Sequence, residues 1–322
     1  MAAPADEYRS LLEELPLNTI EYAFAYGSGA VQQHGENKAD KMVDFILATS
    51  DPHGFHEDNV AKNPSHYSTL RLLGPKCLAK IQTAYGARVY FNTQVHAANR
   101  TIKYGIISMD DLKSDLIDWN WLYVAGRLQK PVLEVISKTP NVSEWIATNR
   151  RSALQVALLH SKEHFSLREL FEQVFNGFRC LHNSIFWIVA ISYTGDFRML
   201  IGEDRNKISK IVAGNFPQLD AAYRPLLESD PSVLVKSTTA LQQDVNPMIL
   251  QERLKLLPPR VLRHIGVVAD RADVSIRLSA AVKSIVAPVA IAQTVKNAFS
   301  AGLMRSLVYS MAKMSKMAKS MK

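Results

Sequence analysis

Apolar and polar positions change in short blocks through the first 130 residues, and the spacing inside each block separates strands from helices. Residues 21–26 form an apolar run that stops at Gly27-Ser28-Gly29, the pattern of a strand running into a turn. Residues 42–48 read as a second apolar strand, and 87–91 and 101–108 as two more. Residues 67–85 are helical in pattern. Helical spacing resumes over 111–125, with Leu112, Leu116, Trp119 and Tyr123 on one face. These blocks predict a small mixed α/β unit.

A boundary falls near Gln129-Lys130-Pro131, and the pattern beyond it is mostly helical. Residues 152–160 predict one helix. Ser166 opens another, with Glu169 three residues on completing a capping box. The apolar stretch 185–191 fits either a strand or a buried helix. Pro225, Pro231 and Pro247 punctuate the region from 220 to 260, and Pro258-Pro259 ends it. No internal repeat is visible. At 322 residues the chain exceeds what one core usually needs. The expected units are 1–130, 131–260 and 261–322.

Composition narrows the class. With 47% hydrophobic and 21% charged residues the chain is globular. Cys77 and Cys180 are the only cysteines, which excludes a disulfide scaffold and a cysteine-based zinc site and suits a reducing compartment. No run reaches the roughly 20 apolar residues that span a bilayer. Residues 185–193 are too short, and the stretch 285–291 contains Pro288. Asp6, Glu7, Glu13 and Glu14 make the N-terminus unlike a signal or transit peptide. The expectation is a soluble or peripherally attached protein.

The net charge of +8 has a location. No acidic residue follows Asp273, whereas eight basic residues do; the other 30 basic residues balance the 30 acidic ones. On a helical wheel Val295, Phe299, Leu303, Leu307, Met311, Met314 and Met321 fall on one arc, and Arg305, Lys313, Lys316 and Lys319 on the other. Met304 and Val308 lie off the apolar arc. Such a helix either docks on the protein or lies among lipid headgroups, where each cation near an anionic surface contributes about 1 kcal/mol. A polar face free of acids favours the lipid.

Four groups of residues suggest chemistry. A strand ending in Gly27-Ser28 lets backbone N–H groups and a hydroxyl approach phosphate oxygens, and Asp44 on the following strand can hold a divalent metal against them. The alternative is a tight turn beside an ordinary strand. Asp51, His53, His56, Asp58, Asn59, Asn63 and His66 line either a pocket or a solvated loop. Lys103, Arg127 and Lys130 are cations on different elements, as a triphosphate requires, or single solvated side chains. Residues 193–199 and 203–207 follow the last apolar block, with Gly195-Asp196 reading first as a turn.

Several strings are long enough to carry a resemblance. They are Phe24-Ala25-Tyr26-Gly27-Ser28-Gly29, Asn63-Pro64-Ser65-His66-Tyr67-Ser68, Ile102-Lys103-Tyr104-Gly105, the run from Leu122 to Val132, and Gly195-Asp196-Phe197-Arg198-Met199. From about Tyr22 to its C-terminus the chain resembles the mitochondrial translocator assembly and maintenance protein family, the mitochondrial CDP-diacylglycerol synthases (phosphatidate cytidylyltransferases). The resemblance implies an α+β chain. It would comprise a nucleotidyltransferase-fold mixed α/β domain, a helical winged-helix-like domain and a C-terminal amphipathic helix. It also implies a peripheral protein on the matrix side of the mitochondrial inner membrane that transfers CMP from CTP to phosphatidate with Mg²⁺ and feeds cardiolipin synthesis.

In that resemblance Gly27 and Ser28 match the phosphate-binding turn, and Asp44 matches the metal-binding acid. The wider pattern has a second acid two residues after the first, where this chain has Ile46; Asp51 and Asp115 are the candidates for a second metal ligand. Phe299, Leu303, Arg305, Leu307, Met311, Lys313, Lys316 and Lys319 would meet the membrane. Two rival readings are a nucleotidyltransferase acting on RNA and a non-catalytic inner-membrane assembly factor. The first expects arginine interleaved with aromatic residues, and the tail offers Lys and Met, so no nucleic-acid partner is expected.

Overall fold

A computed structural model describes residues 4–31, 41–98, 100–172, 188–199, 206–268 and 270–302. The chain opens with α1 (Pro4–Ser10), β1 (Ile20–Tyr26), β2 (Val43–Thr49), α2 (Pro52–Lys62), α3 (Pro75–Ala84), β3 (Tyr90–Ala97) and β4 (Arg100–Ser108). It continues with α4 (Met109–Asp118), α5 (Ala125–Leu128), β5 (Leu133–Ser137), α6 (Asn141–His160), β6 (His164–Ser166) and α7 (Leu167–Phe171). The last described elements are α8 (Lys207–Glu228), β7 (Val233–Val235), β8 (Ala240–Gln243), α9 (Pro247–Lys255), α10 (Pro259–Ile265) and α11 (Arg271–Ala301). The class is α+β, as expected.

The main sheet has the order β3-β4-β2-β1-β5. Only β2 and β4 pair in parallel. The central strands β1 and β2 are apolar on both sides because both faces are covered. Tyr22, Phe24, Ile46 and Ala48 point into one core with α4, α5 and α6. Ala23, Ala25, Phe45 and Leu47 point into a second core, closed by Tyr8, Leu12, Leu15 and Phe55. A smaller sheet, β6-β8-β7, lies in the second half of the chain. Ser166 caps α7, and its capping box with Glu169 is present, as the sequence predicts.

Several expected boundaries move, each for a local reason. The sheet does not end at residue 130, because β5 returns to pair with β1. The helix expected over 67–85 divides at Gly74 (φ 82°) and Pro75 into a 3-10 turn, Thr69–Leu73, and α3. The strand expected at 87 starts at Tyr90, since Arg88 has φ 60°. The helix expected over 111–125 stops at Asp118, where Trp119 turns left-handed (φ 57°). Residues 191–193 form a 3-10 turn and 185–187 lie outside the described residues.

Pro288 does not interrupt its helix. It sits on the exposed side of α11, and so does Ser284, whose carbonyl loses its intrahelical donor there. α11 is therefore long and apolar enough, by length and composition, to cross a membrane. Instead it packs along the protein through Val274, Leu278, Val282, Ile285 and Val286.

Candidate functional site

Strand register assembles the first part of the site. Tyr26 on β1 pairs with Asp44 on β2, and Asp44 pairs with Lys103 on β4, so the three side chains form one row on the α4–α6 face. Lys103 Nζ lies 3.8 Å from Asp44 Oδ1 and 4.5 Å above the centre of the Phe91 ring. Two residues further along β2, Ile46 is fully buried between Phe24 and Gly105. A carboxylate there would stand in the core beneath the site.

The glycine bend faces this row. Gly27 follows β1 with φ 73°, and its carbonyl accepts from the N–H groups of Ala30 and Val31. A Cβ at Gly27 would lie 3.5 Å from Asp44 Oδ2. At Gly29 it would collide with the Met42 carbonyl, at 2.3 Å. Glycine is thus needed at 27 for the left-handed turn and at 29 for the close approach to β2. Ser28 sits half-buried between them.

The opposite wall is built by Asp115, which is 1% exposed. Its oxygens accept from five backbone N–H groups, those of Trp121, Leu122, Tyr123, Val124 and Ala125, at 2.6–3.1 Å. This carboxylate folds the loop that aims Tyr123 and Arg127 at the row; its oxygens are already filled, so it is not a metal ligand. Asp51 is not one for this site either. It caps α2 by accepting from Gly54 N–H, beyond the far end of β2 from Asp44, a separation of about 17 Å along the strand.

Arg127 Nη1 donates to the Tyr123 carbonyl, and the guanidinium lies 3.9 Å from the Tyr123 ring and 5.0 Å from the Tyr26 ring. Lys130 Nζ donates to Ser192 Oγ and lies over the Tyr193 ring, which Lys207 approaches from 5.1 Å. Gly126 permits this packing, since a Cβ there would fall 2.1 Å from Ser192 Cβ. Arg198 completes the group, held by Asp196 in a two-pronged pair. Sequence reasoning named Lys103, Arg127 and Lys130 as a set but gave Arg198 and Lys207 no such role, and it missed the rings Tyr26, Phe91 and Tyr123 beneath them. The alternation that places Tyr26 on the face of Phe24 was the available signal.

Cations predominate in this cluster among the described residues. Lys103, Arg127, Lys130, Arg198 and Lys207 meet two carboxylates, Asp44 and Asp196, the latter already bound to Arg198. Burial, with Arg127 and Lys207 alongside, pushes the Lys130 ammonium well below the ordinary lysine value. Burial also opposes the charge on Arg127, but the Tyr123 and Tyr26 phenols outweigh it and hold this group above the ordinary arginine value. A polyanion entering here would relieve the repulsion among these cations.

The second group of residues separates. Asp51 and Asp58 are exposed, and His53 faces Glu57 at 4.0 Å. His56 and Asn59 are fully buried on the other face of the sheet. Asn59 donates to the hydroxyls of Tyr67 and Tyr104, Asn92 donates to Tyr104, and Asn63 donates to Asn59. Tyr104 has two donors already, so its own proton goes to His66 Nδ1, 2.8 Å away. This is a structural network, neither a solvated loop nor an open pocket. Of the expected membrane residues, Phe299 lies on α11; Leu303, Arg305, Leu307, Met311, Lys313, Lys316 and Lys319 lie outside the described residues. So do residues 203–205 of the fourth group.

Comparison with known proteins places the chain. A family model described as "Phosphatidate cytidylyltransferase, mitochondrial" matches residues 8–316. Proteins of that same name are similar over nearly their whole length. One from Caenorhabditis briggsae is 49% identical, covering 98% of this chain and 99% of the relative. One from Caenorhabditis elegans is 48% identical with the same coverage. One from Mus musculus is 37% identical, covering 96% of this chain and 94% of the relative.

Proposed function

The chain belongs to the mitochondrial phosphatidate cytidylyltransferase family, and on that premise we propose how its residues perform the transfer. The enzyme takes CTP and phosphatidate to CDP-diacylglycerol and pyrophosphate. An oxygen of the phosphatidate phosphate attacks the α-phosphorus of CTP. The new P–O bond forms as the bond to the β-phosphate oxygen breaks, and pyrophosphate leaves. The nucleophile is already anionic, so the main obstacle is repulsion between two polyanions, which fixed cations lower.

The observation that carries this reading is the row Tyr26–Asp44–Lys103 beneath the Gly27–Ser28 bend, with Arg127 and Lys130 beside it. Gly27 and Ser28 cradle the β- and γ-phosphates. Lys103, Arg127 and Lys130 neutralise them, and the Tyr26 and Tyr123 rings hold the guanidinium in place. Asp44 would hold Mg²⁺, which when bound supplies charge stabilisation at the reacting phosphates. No group of three or more His, Cys, Asp or Glu converges as a cage among the described residues. A single carboxylate suits a magnesium ion that arrives on a triphosphate, since such ions take one or two protein carboxylates plus phosphate oxygens.

In this reading the five-stranded unit is a nucleotidyltransferase fold that extends through β5. The α6–α9 region with its three-stranded sheet is the winged-helix-like unit. The protein sits peripherally on the matrix side of the inner membrane, with its tail at the lipid. The test is an incubation of labelled CTP with phosphatidate vesicles and Mg²⁺. A labelled liponucleotide and an equal amount of pyrophosphate are expected. Folded protein that binds no CTP and forms neither product would overturn the reading in favour of a non-catalytic role.

A further inference from the structure

The polarity of α11 reverses along its length. Before Pro288 its buried side is apolar, with Val274, Leu278, Val282 and Ile285. After Pro288 the buried side carries Gln293, Lys296 and Ser300, while Ile291, Val295 and Phe299 face outward, each more than half exposed. The inward polar groups are fully used. Gln293 accepts from Ala87 N–H and donates to the Val89 carbonyl. Lys296 donates to the carbonyls of Tyr85, Gln82 and Ile81 at the C-terminal end of α3. Packing in water gives the opposite arrangement, apolar inside and polar outside.

The apolar surface continues onto the catalytic unit. Ser68 donates to the Phe299 carbonyl, which sets the 3-10 turn Thr69–Leu73 against the end of α11. Leu72 and Leu73 project from that turn, 81% and 58% exposed, and Tyr85 is exposed nearby at the end of α3. Basic residues predominate in the two chain segments that form this face. Between Asp58 and Asp110 the sequence holds no acidic residue and seven basic ones, and no acid follows Asp273. Arg71, Lys76 and Lys80 are exposed beside the leucines. Apolar prongs flanked by exposed cations match an anionic lipid surface better than a neutral one.

We propose that the Leu72–Leu73 turn and the outward stripe Ile291–Val295–Phe299 seat the catalytic unit itself on anionic lipid, as a contact separate from the tail beyond Gly302. The proposal rests on the reading of the chain as an enzyme that acts on a lipid. It goes beyond it by assigning the docking face. The turn enters the acyl boundary, and Arg71, Lys76 and Lys80 lie level with the headgroup phosphates. α11 is held to the sheet by Gln293 and to α3 by Lys296, so the docked face is rigidly tied to the site.

Two measurements on the full chain test this. In L72W the emission added to that of the four native tryptophans, read as the difference from the wild type, should be that of an exposed indole in buffer, then shift to the blue and be quenched by brominated acyl chains when vesicles of phosphatidylcholine with about 30% phosphatidate are added. An indole already buried without vesicles would mean that the chain's own tail or a second copy covers the turn, and would overturn the proposal. In L72S/L73S, partition onto the same vesicles should weaken about tenfold. CMP transfer to vesicular phosphatidate should fall in step, while transfer to a short-chain, monomeric phosphatidate stays unchanged. Unaltered partition would refute the docking face. Failure of the wild type to use short-chain phosphatidate would instead strike the reaction reading, and the vesicle partition would still decide the surface.

Discussion

Lys103 and Tyr104 are neighbours on β4, yet they belong to polar clusters on opposite faces of one sheet. Among the described residues the Lys103 cluster gathers several cations around Asp44 and Asp196, with aromatic rings as its floor. The Tyr104 cluster gathers neutral groups whose donors and acceptors largely satisfy one another. Both contain residues that looked chemically promising in the sequence. Charge distinguishes them: cations held close together suit an incoming polyanion, whereas a matched neutral network stabilises the fold by itself.

The sharpest separation of the two clusters is Asp44→Asn. It should lower CMP transfer about a thousandfold, roughly 4 kcal/mol of transition-state stabilisation, while the melting temperature stays within about 2 °C. Near-normal turnover would remove Asp44 from the mechanism and leave the row without a metal ligand.

The network should announce itself through pH. The His56 Nε2–H donates to Gln82 Oε1, leaving Nδ1 to accept from the Tyr67 hydroxyl, so the ring is buried neutral. Burial pushes its pKa down from 6.5 to about 4. The unfolded chain therefore takes up this proton first as pH falls. Stability present above pH 6.5 is lost progressively toward pH 4, by about 3 kcal/mol from this group. His160, also pushed down to about 4 by burial, acts in the same direction. Urea titrations at pH 7 and pH 5 measure the loss, and His56→Gln should shrink the difference between them. An equal difference in that variant would exclude His56 as a source.

Adjacent substitutions on β4 give the closest contrast. Lys103→Met should reduce kcat/KM for CTP about thirtyfold, roughly 2 kcal/mol, with little change in stability. Tyr104→Phe should cost about 1–2 kcal/mol of stability, read from urea denaturation, because Asn59 and Asn92 lose an acceptor; transfer per folded molecule should be unchanged. If both variants fail in the same way, the two faces are coupled and the distinction collapses.

Legibility in the sequence followed the range of the interactions. β1, β2 and β4 were visible as apolar runs, and the bend at Gly27 as a glycine signal, because burial and turn chemistry act locally. The pairing that sets Tyr26, Asp44 and Lys103 side by side was not visible, since the β2–β4 register joins residues separated by the whole α2–β3 segment. Asp115 was misread because its partners are backbone N–H groups, which no residue type marks. Asp51 was misread because its partner is the Gly54 backbone N–H, which no residue type marks, and nearness in sequence to Asp44 was taken for nearness in space across an extended strand. Pro288 suggested a break because the exposure of its face could not be read from its neighbours.

The alternation along β4 has a consequence for how this chain can change over time. A single residue deleted before Lys103 would turn that lysine toward the core and put Tyr104 opposite Asp44, and an insertion would likewise turn Lys103 inward, so the row and the packing would be lost in one event. Substitutions along the strand can be sampled one face at a time, but changes in its length cannot. Tolerated insertions should therefore collect in connections such as the one between α8 and β7, and the spacing from Arg100 to Gly105 should stay fixed.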